Sequence, residues 1–210
     1  IAVATHAIGD RANHLILNVY EELREETRAR GLRHRVEHAQ HLLPEDVARF
    51  ARLGVVASLQ PTHCTSDIPL STSLLSGRRL ANYAWRSLLD SGATVAFGSD
   101  APVEDPNPFF GIHAAVTRQT PDGAPEGGWE PEERLTVAEA LSAYSAGAAG
   151  AAGRGDRVGR IAPGQLADLI AVDADPVEAD PASLRNIRVL RTLVGGVSRY
   201  EADSDRPPLR

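Results

Sequence analysis

Four short segments of this 210-residue chain place a side chain that can bind a metal or move a proton directly behind an apolar run. They read Thr5-His6-Ala7, Glu37-His38-Ala39, Gln60-Pro61-Thr62-His63 and Gly98-Ser99-Asp100-Ala101. Neutral imidazole nitrogen and carboxylate oxygen are the donors that a Zn²⁺-like cation takes, and a catalytic ion keeps one position open for water. A carboxylate beside such a water can accept its proton and pass it to a departing amine. Taken singly, each position has a plainer reading. A histidine at a strand end is usually a hydrogen-bonded structural residue, Asp100 can form an Asx turn before Pro102, and His63 can be an ordinary loop residue. Their shared placement changes the balance, because all four fall where a strand runs out.

The elements that must position them follow from the pattern of apolar residues. Ile1–Thr5, Arg33–His38, Val55–Gln60 and Thr94–Gly98 read as strands. Between them, Ile16, Val19, Tyr20 and Leu23 recur at helical spacing until Gly31, and a second helix starts at Pro44 and closes at Gly54. Leu80, Ala84 and Leu88 mark a third helix stopped by Ser91-Gly92, and Pro108 opens a fourth over Asn107–Gln119. Four βα units in succession imply a parallel sheet with helical crossovers, the setting in which reactive side chains come from the C-terminal strand ends. Ser66–Arg79 and Pro121–Glu133 read as loops. Thr136-x-x-Glu139 is a capping box, with Leu135 placed to staple against Ala140. After an Ala/Gly tract the character changes: Val158–Ile161, Leu166–Val172, Val189–Val194 and Val197–Tyr200 are β-rich, and Gly195-Gly196 is a hairpin turn. The division is thus 1–157, a β unit at 158–202, and a tail at 203–210 expected to fray.

Composition removes several functions. All 22 basic residues are Arg and none is Lys, which excludes Schiff-base chemistry, a phosphate-loop lysine and a carbamylated-lysine metal bridge within the chain. The net charge of −6 is spread rather than blocked, so no basic stripe suits a nucleic acid. No apolar run approaches 18 residues, and no membrane span is expected. Cys64 is the single cysteine, so no internal disulfide forms, and a Cys64–His63 dyad fails because sequence neighbours rarely face each other in a strand-end turn. His34, His38 and His41 would line a helix face, but Gly31 and Pro44 leave only an alternating strand pattern there. His14, His34, His41 and His113 are therefore expected at the surface or behind the ligands. Gly147, Gly150 and Gly153 follow a helix rather than a strand, unlike a dinucleotide-binding turn. With no Met and an apolar start at Ile1, the chain reads as a fragment of a longer protein. A cytoplasmic location is expected, and a signal peptide would lie before residue 1.

His6-Ala-Ile-Gly-Asp-Arg-Ala12, Arg35-Val-Glu-His38-Ala-Gln40, Gln60-Pro-Thr-His63 and Gly98-Ser-Asp100-Ala-Pro-Val103 together resemble the second half of the amidohydrolase superfamily, in its YtcJ-like branch, amidohydrolase family 3. Gly159-Arg-Ile-Ala-Pro-Gly-Gln-Leu-Ala-Asp-Leu-Ile170 resembles the segment that re-enters that family's small β-sandwich. The resemblance implies an α/β fold, half of a (β/α)₈ TIM barrel (strands five to eight) followed by part of a β-sandwich. It implies that His6, His38 and Asp100 bind a divalent metal, Zn²⁺ by preference and one or two ions in all. It further implies that Asp100 is the general acid/base and that His63 sits near a small-molecule substrate. The reaction implied is hydrolysis of a C–N bond in an amide, N-acyl compound or cyclic ureide.

The departures are a missing His-x-His pair and the missing Lys, both expected from an N-terminal half of the barrel. Without them the chain alone should bind metal weakly and not turn over, and its apolar edge strands invite self-association into a homo-oligomer. Two other readings share the fold: a non-catalytic binding or regulatory protein, and a phosphotriesterase-like hydrolase. The latter would want rim arginines, for which Arg11, Arg78, Arg79 and Arg118 are the candidates.

Overall fold

The computed structural model describes residues 1–202, so the expected fraying after Asp203 lies outside the described residues. Strand β1 (Ala4–Ala7) leads into helices α1 (Asp10–Glu22) and α2 (Arg24–Ala29), and β2 (Arg35–His38) into a two-residue strand β3 (His41–Leu42) and α3 (Pro44–Leu53). Next come β4 (Val56–Leu59), α4 (Pro61–Ser66), α5 (Ile68–Leu74), β5 (Ala81–Asn82), α6 (Trp85–Asp90), β6 (Val95–Phe97) and α7 (Pro108–Thr117). A 3₁₀ turn at Pro131–Glu133 precedes α8 (Val137–Ser142), which runs through a π-helical stretch, Ala143–Gly147, into α9 (Ala148–Ala151). Strand β7 (Leu169–Val172), a 3₁₀ turn at Pro181–Asn186 and strands β8 (Val189–Val194) and β9 (Val197–Glu201) complete the chain.

The fold is α/β. Four strands pair in the order β1-β2-β4-β6, every neighbouring pair parallel, so the order in the sheet is the order in the chain. The register aligns Thr5, Val36, Ala57 and Val95 across the sheet, and Val36, Ala57 and Val95 are buried in the core with Leu17, Phe50, Trp85 and Leu88. A second sheet is antiparallel, β7-β8-β9, with β8 and β9 joined through Gly195-Gly196 as the β-rich runs predict.

Helix α3 begins at Pro44 and ends on Gly54 in a left-handed conformation, φ 69°, where a side chain would be strained. The capping box of α8 is complete in both directions, and Leu135 and Ala140 are both buried. Three expectations fail. The helix through Leu80 and Ala84 starts only at Trp85, because Ala81–Asn82 pairs with His41–Leu42 and Tyr83 takes φ 45° to bury its ring. Ser66–Arg79 is largely helical rather than a loop, since α4 and α5 occupy it. Val158–Ile161 forms no strand: Gly159 sits at φ 95°, where an added Cβ would lie 2.7 Å from the Ala149 Cβ, so the segment kinks against α9. Among the described residues no helix is long and apolar enough to cross a membrane.

Candidate metal centre

The ends of β1 and β2 are set by the turns that follow them. Asn13, fully buried on α1, points its amide at the carbonyls of Ala7, Gly9 and His41 at 3.2, 3.0 and 3.3 Å, tying the end of β1 to the segment after β2. His6 is registered against Glu37, and Ala7 against His38. Alternate strand residues face opposite sides, so His38 belongs by parity to the row of Val36, not that of His6. The backbone breaks that parity: His38 has φ 78° and Ala39 φ 43°. Left-handed conformations at non-glycine residues cost about 1–3 kcal/mol each and concentrate at functional sites. With this reversal the His38 ring meets the His6 ring edge-on, centroids 4.4 Å apart and planes at 70°.

His63 comes from the first turn of α4, where Pro61 presets the helical φ. Its ring stacks beside that of His38, 5.8 Å between centroids and 16° between planes. Asp100 follows β6 in another left-handed conformation, φ 54°. One donor atom each from His38, His63 and Asp100 lies within 4.8 Å of the other two, and no other such trio gathers among the described residues. His6 is not one of this close group, though its ring packs edge-on with that of His38.

The donors suit a divalent cation. Two imidazoles and a carboxylate are the set that Zn²⁺ favours. His63 Nε2 is buried with no hydrogen-bond partner, the kind of orphan that an absent ion or water accounts for. His38 Nδ1 lies 3.0 Å from Gln60 Oε1. The Nδ1–H donating to that carbonyl leaves the Nε2 lone pair for the site, as supporting groups around metal-binding histidines do. Burial, followed by the neighbouring His6, holds the His38 imidazole below the ordinary histidine value, while Gln60 and Asp100 pull it back up. A neutral ring is the form that binds metal.

Behind the rings, Tyr83 donates to Asp67 at 2.6 Å, and Gln40 donates to Asp67 at 3.3 Å and to the Tyr83 hydroxyl. Asp67 closes α4, so this half-buried triangle pins the helix bearing His63 to the turn after His38. Gln60 and Gln40 could have been noticed in sequence as polar residues beside the histidines. Tyr83 and Asp67 carry no such signal, being brought together only by the fold.

The remaining histidines, expected at the surface or behind the ligands, divide into two half-buried rings, His14 and His41, and two buried ones, His34 and His113. His34 is buried, accepting from the Val3 N–H at 3.1 Å, 3.1 Å from the Thr27 hydroxyl and stacked on Tyr20. His113 is buried on α7. His14 pairs with the buried Asp46 carboxylate at 3.0 Å, and His41 with Asn82 at 2.9 Å. Of the rim arginines, Arg78 pairs with Asp10. Arg118 is fully buried between Trp85 and Trp129, its guanidinium 4.6 and 5.2 Å from the ring centres. Cys64 is buried, which pushes its thiol up to about 12 and disfavours the reactive thiolate.

The profile of the amidohydrolase family matches residues 1–200. Over 202 residues the chain is 39% identical to Protein LONG AFTER FAR-RED 3 of Arabidopsis thaliana, covering 95% of this chain and 34% of that protein. It is 36% identical over 200 residues to the putative amidohydrolase YtcJ of Bacillus subtilis (strain 168), covering 95% and 37%. It is likewise 36% identical over 203 residues to the N-substituted formamide deformylase of Arthrobacter pascens, covering 96% and 37%. A crystal structure of an uncharacterized metal-dependent hydrolase from Pyrococcus furiosus superposes with a TM-score of 0.69 at 28% identity, over 85% of this chain and 34% of that one. The chain thus spans about a third of the length of the curated relatives it matches.

Proposed function

This chain belongs to the amidohydrolase family, and on that premise we propose that it supplies one wall of a metal-dependent hydrolase that cleaves a non-peptide C–N bond with water. The observation carrying the proposal is the convergence of His38, His63 and Asp100 at the C-terminal ends of β2, β4 and β6, with His6 from β1 against His38. In this reading the parallel sheet is half of a (β/α)₈ barrel and the antiparallel sheet part of a small β-sandwich. The rest of the barrel supplies the His-x-His pair and the lysine that this chain lacks.

His6, His38 and Asp100 face the cation, Zn²⁺ on the donor chemistry. A divalent ion there would lower the pKa of water and polarise a carbonyl. The Asp100 carboxylate takes the proton of the attacking water and returns it to the nitrogen that leaves, a transfer worth roughly 10²–10⁴ in rate. Gln60 holds the His38 ring in the tautomer that presents Nε2. The substrate class is an amide, N-acyl compound or cyclic ureide, and the deformylase relative makes N-substituted formamides the first compounds to try. A phosphoester reading is disfavoured, because Arg78 and Arg118, two of the four rim candidates, are engaged with Asp10 and with the Trp85–Trp129 stack.

The test is hydrolysis of such a panel by the full-length protein and by its Asp100→Asn variant, with folding checked by circular dichroism. The expected result is amine release by the parent and at least about a 100-fold lower kcat/KM for the variant. A folded, metal-loaded parent that cleaves none of the panel, or a variant as active as the parent, sinks the proposal.

A further inference from the structure

We propose that Leu70 and Leu74, on the outward continuation of the helix that presents His63, hold an extended, uncharged apolar arm of the substrate. The inference rests on the hydrolase reading above and deepens it, by naming what the amide carries away from its scissile bond.

Helices α4 and α5 wind as one across Asp67. The Asp67 N–H donates to the His63 carbonyl at 2.9 Å, the Ser71 N–H to that of Asp67 at 2.8 Å and the Leu75 N–H to that of Ser71 at 2.9 Å. At about 3.6 residues per turn, His63, Leu70 and Leu74 then fall within about 40° of one another around the axis. Cys64, Thr65 and Ser71 point elsewhere and are buried. The face that brings His63 to the metal centre therefore continues as leucine, with Leu70 58% and Leu74 67% exposed. Along the axis the two stand about 10 and 16 Å from His63. Single exposed leucines are ordinary, but an apolar stripe leading away from a polar centre is what a ligand groove presents.

Two ties hold this stretch on the C-terminal rim of the sheet. Ser66 donates to Glu104 at 3.1 Å, four residues past Asp100, and Arg78 pairs with Asp10, four residues past His6. The strands behind those two loops, β6 and β1, are the two edges of the parallel sheet. Val103, beside Glu104, adds a further exposed apolar side chain. Charge is nearly absent. Between positions 66 and 77 the only charged residue is Asp67, whose carboxylate already accepts from Tyr83 and Gln40. A neutral apolar arm gains by covering the leucines, and a charged one finds no partner there.

The test uses the full-length, metal-loaded protein, as parent and as a Leu70→Ser/Leu74→Ser double variant with folding checked by circular dichroism. Calorimetry compares octan-2-one with butan-2-one, ketones that mimic the amide carbonyl and cannot be hydrolysed. Initial rates compare N-hexylacetamide and N-methylheptanamide, which carry the arm on the amine or the acyl side, with N-methylacetamide. The parent is expected to bind octan-2-one at least about 10-fold tighter than butan-2-one, and to favour one of the long amides by a like factor in kcat/KM. In the double variant both preferences should drop by about fivefold or more. No preference in binding or, where amides are cleaved, in rate overturns the inference, as does a preference that the double variant keeps; the leucines are then covered by another part of the longer protein. In that event cleavage of N-methylacetamide by the parent still upholds the hydrolase reading. If octan-2-one is preferred through the leucines while no amide is cleaved, the hydrolase reading falls and the apolar site stands.

Discussion

Single side chains decide this site through backbone geometry as much as through chemistry. His38 reaches its neighbours because φ is 78° at its own Cα, and Gln60 then fixes which nitrogen it offers. Replacing Gln60 with Ala removes the acceptor for Nδ1–H and lets the ring choose the other tautomer. Cation affinity is expected to fall about 10- to 100-fold with little change in unfolding midpoint, as for other groups that orient a ligand. Gln60→Glu, which keeps an acceptor, should retain affinity; competition against a chromophoric chelator measures both. An affinity unchanged in Gln60→Ala would show that the ring is held by packing alone. The sequence made His6, His38, His63 and Asp100 visible because each follows an apolar run. It hid the reversal at His38, since nothing in Glu-His-Ala announces a left-handed residue without glycine. It also hid the burial of His34 and His113, which depends on Tyr20, Val3 and α7 arriving from elsewhere in the chain.

At the level of elements, local signals succeed where the chain satisfies itself and fail where a distant contact overrules it. Pro44 and Gly54 bound α3 as read, and the Thr136–Glu139 box forms. By contrast, the helix expected from Leu80 yields to the pairing of β3 with β5, and the six- and seven-residue helices α4 and α5 are too short to show a period. The π-helical stretch after α8 is equally silent in sequence. Its tight packing is visible only in space: a Cβ at Gly147 would fall 2.2 Å from the Val95 carbonyl oxygen. The start of α8 is a place where charge and structure can be separated. Arg86, and then the Thr136 backbone and hydroxyl, hold the Glu139 carboxyl down to about 2, against 4.5 unperturbed. A depressed carboxylate gives stability that is present above the unfolded value and lost as pH falls from about 4.5 toward 2. Glu139→Gln should therefore be less stable than the parent at pH 7, the gap narrowing steadily below pH 4.5. Thr136→Ala should cost about 1 kcal/mol at neutral pH through the lost cap. Urea unfolding followed by circular dichroism at a series of pH values checks both; a gap that stays constant with pH would remove the charged pair from the account.

For the molecule as a whole, the sequential order β1-β2-β4-β6 was legible from four βα units in a row, because parallel neighbours joined by helices are the expected outcome. How the C-terminal part attaches was not, since it depends on the 3₁₀ turn at Pro181–Asn186, whose Leu184 is fully buried in the core. Arg185 of that turn lies over the Phe110 ring of α7, and His113, one turn further along α7, is buried with its Nδ1 unpartnered. Burial first, and the positive Arg185 second, lower the His113 imidazole from its ordinary 6.5; burial does the same to His34. Both rings are thus neutral in the folded chain over a range where the unfolded chain binds protons. Within that range stability rises with pH. Its full value is reached above about 6.5, and it drains away as pH falls through the lower folded values. Denaturant unfolding at pH 7.5, 6.5, 5.5 and 4.5 should show this decline, with His38, also lowered by burial, adding its own share, so a variant rather than the raw curve isolates the effect. His113→Leu removes one proton-binding group from the unfolded state and one orphaned nitrogen from the interior. Its stability should match or exceed that of the parent at pH 7.5, and its advantage should grow toward pH 4.5. An advantage that shrinks with acid would mean that His113 is protonated in the folded core, and that α7 meets the Pro181–Asn186 turn through a charge the fold can tolerate.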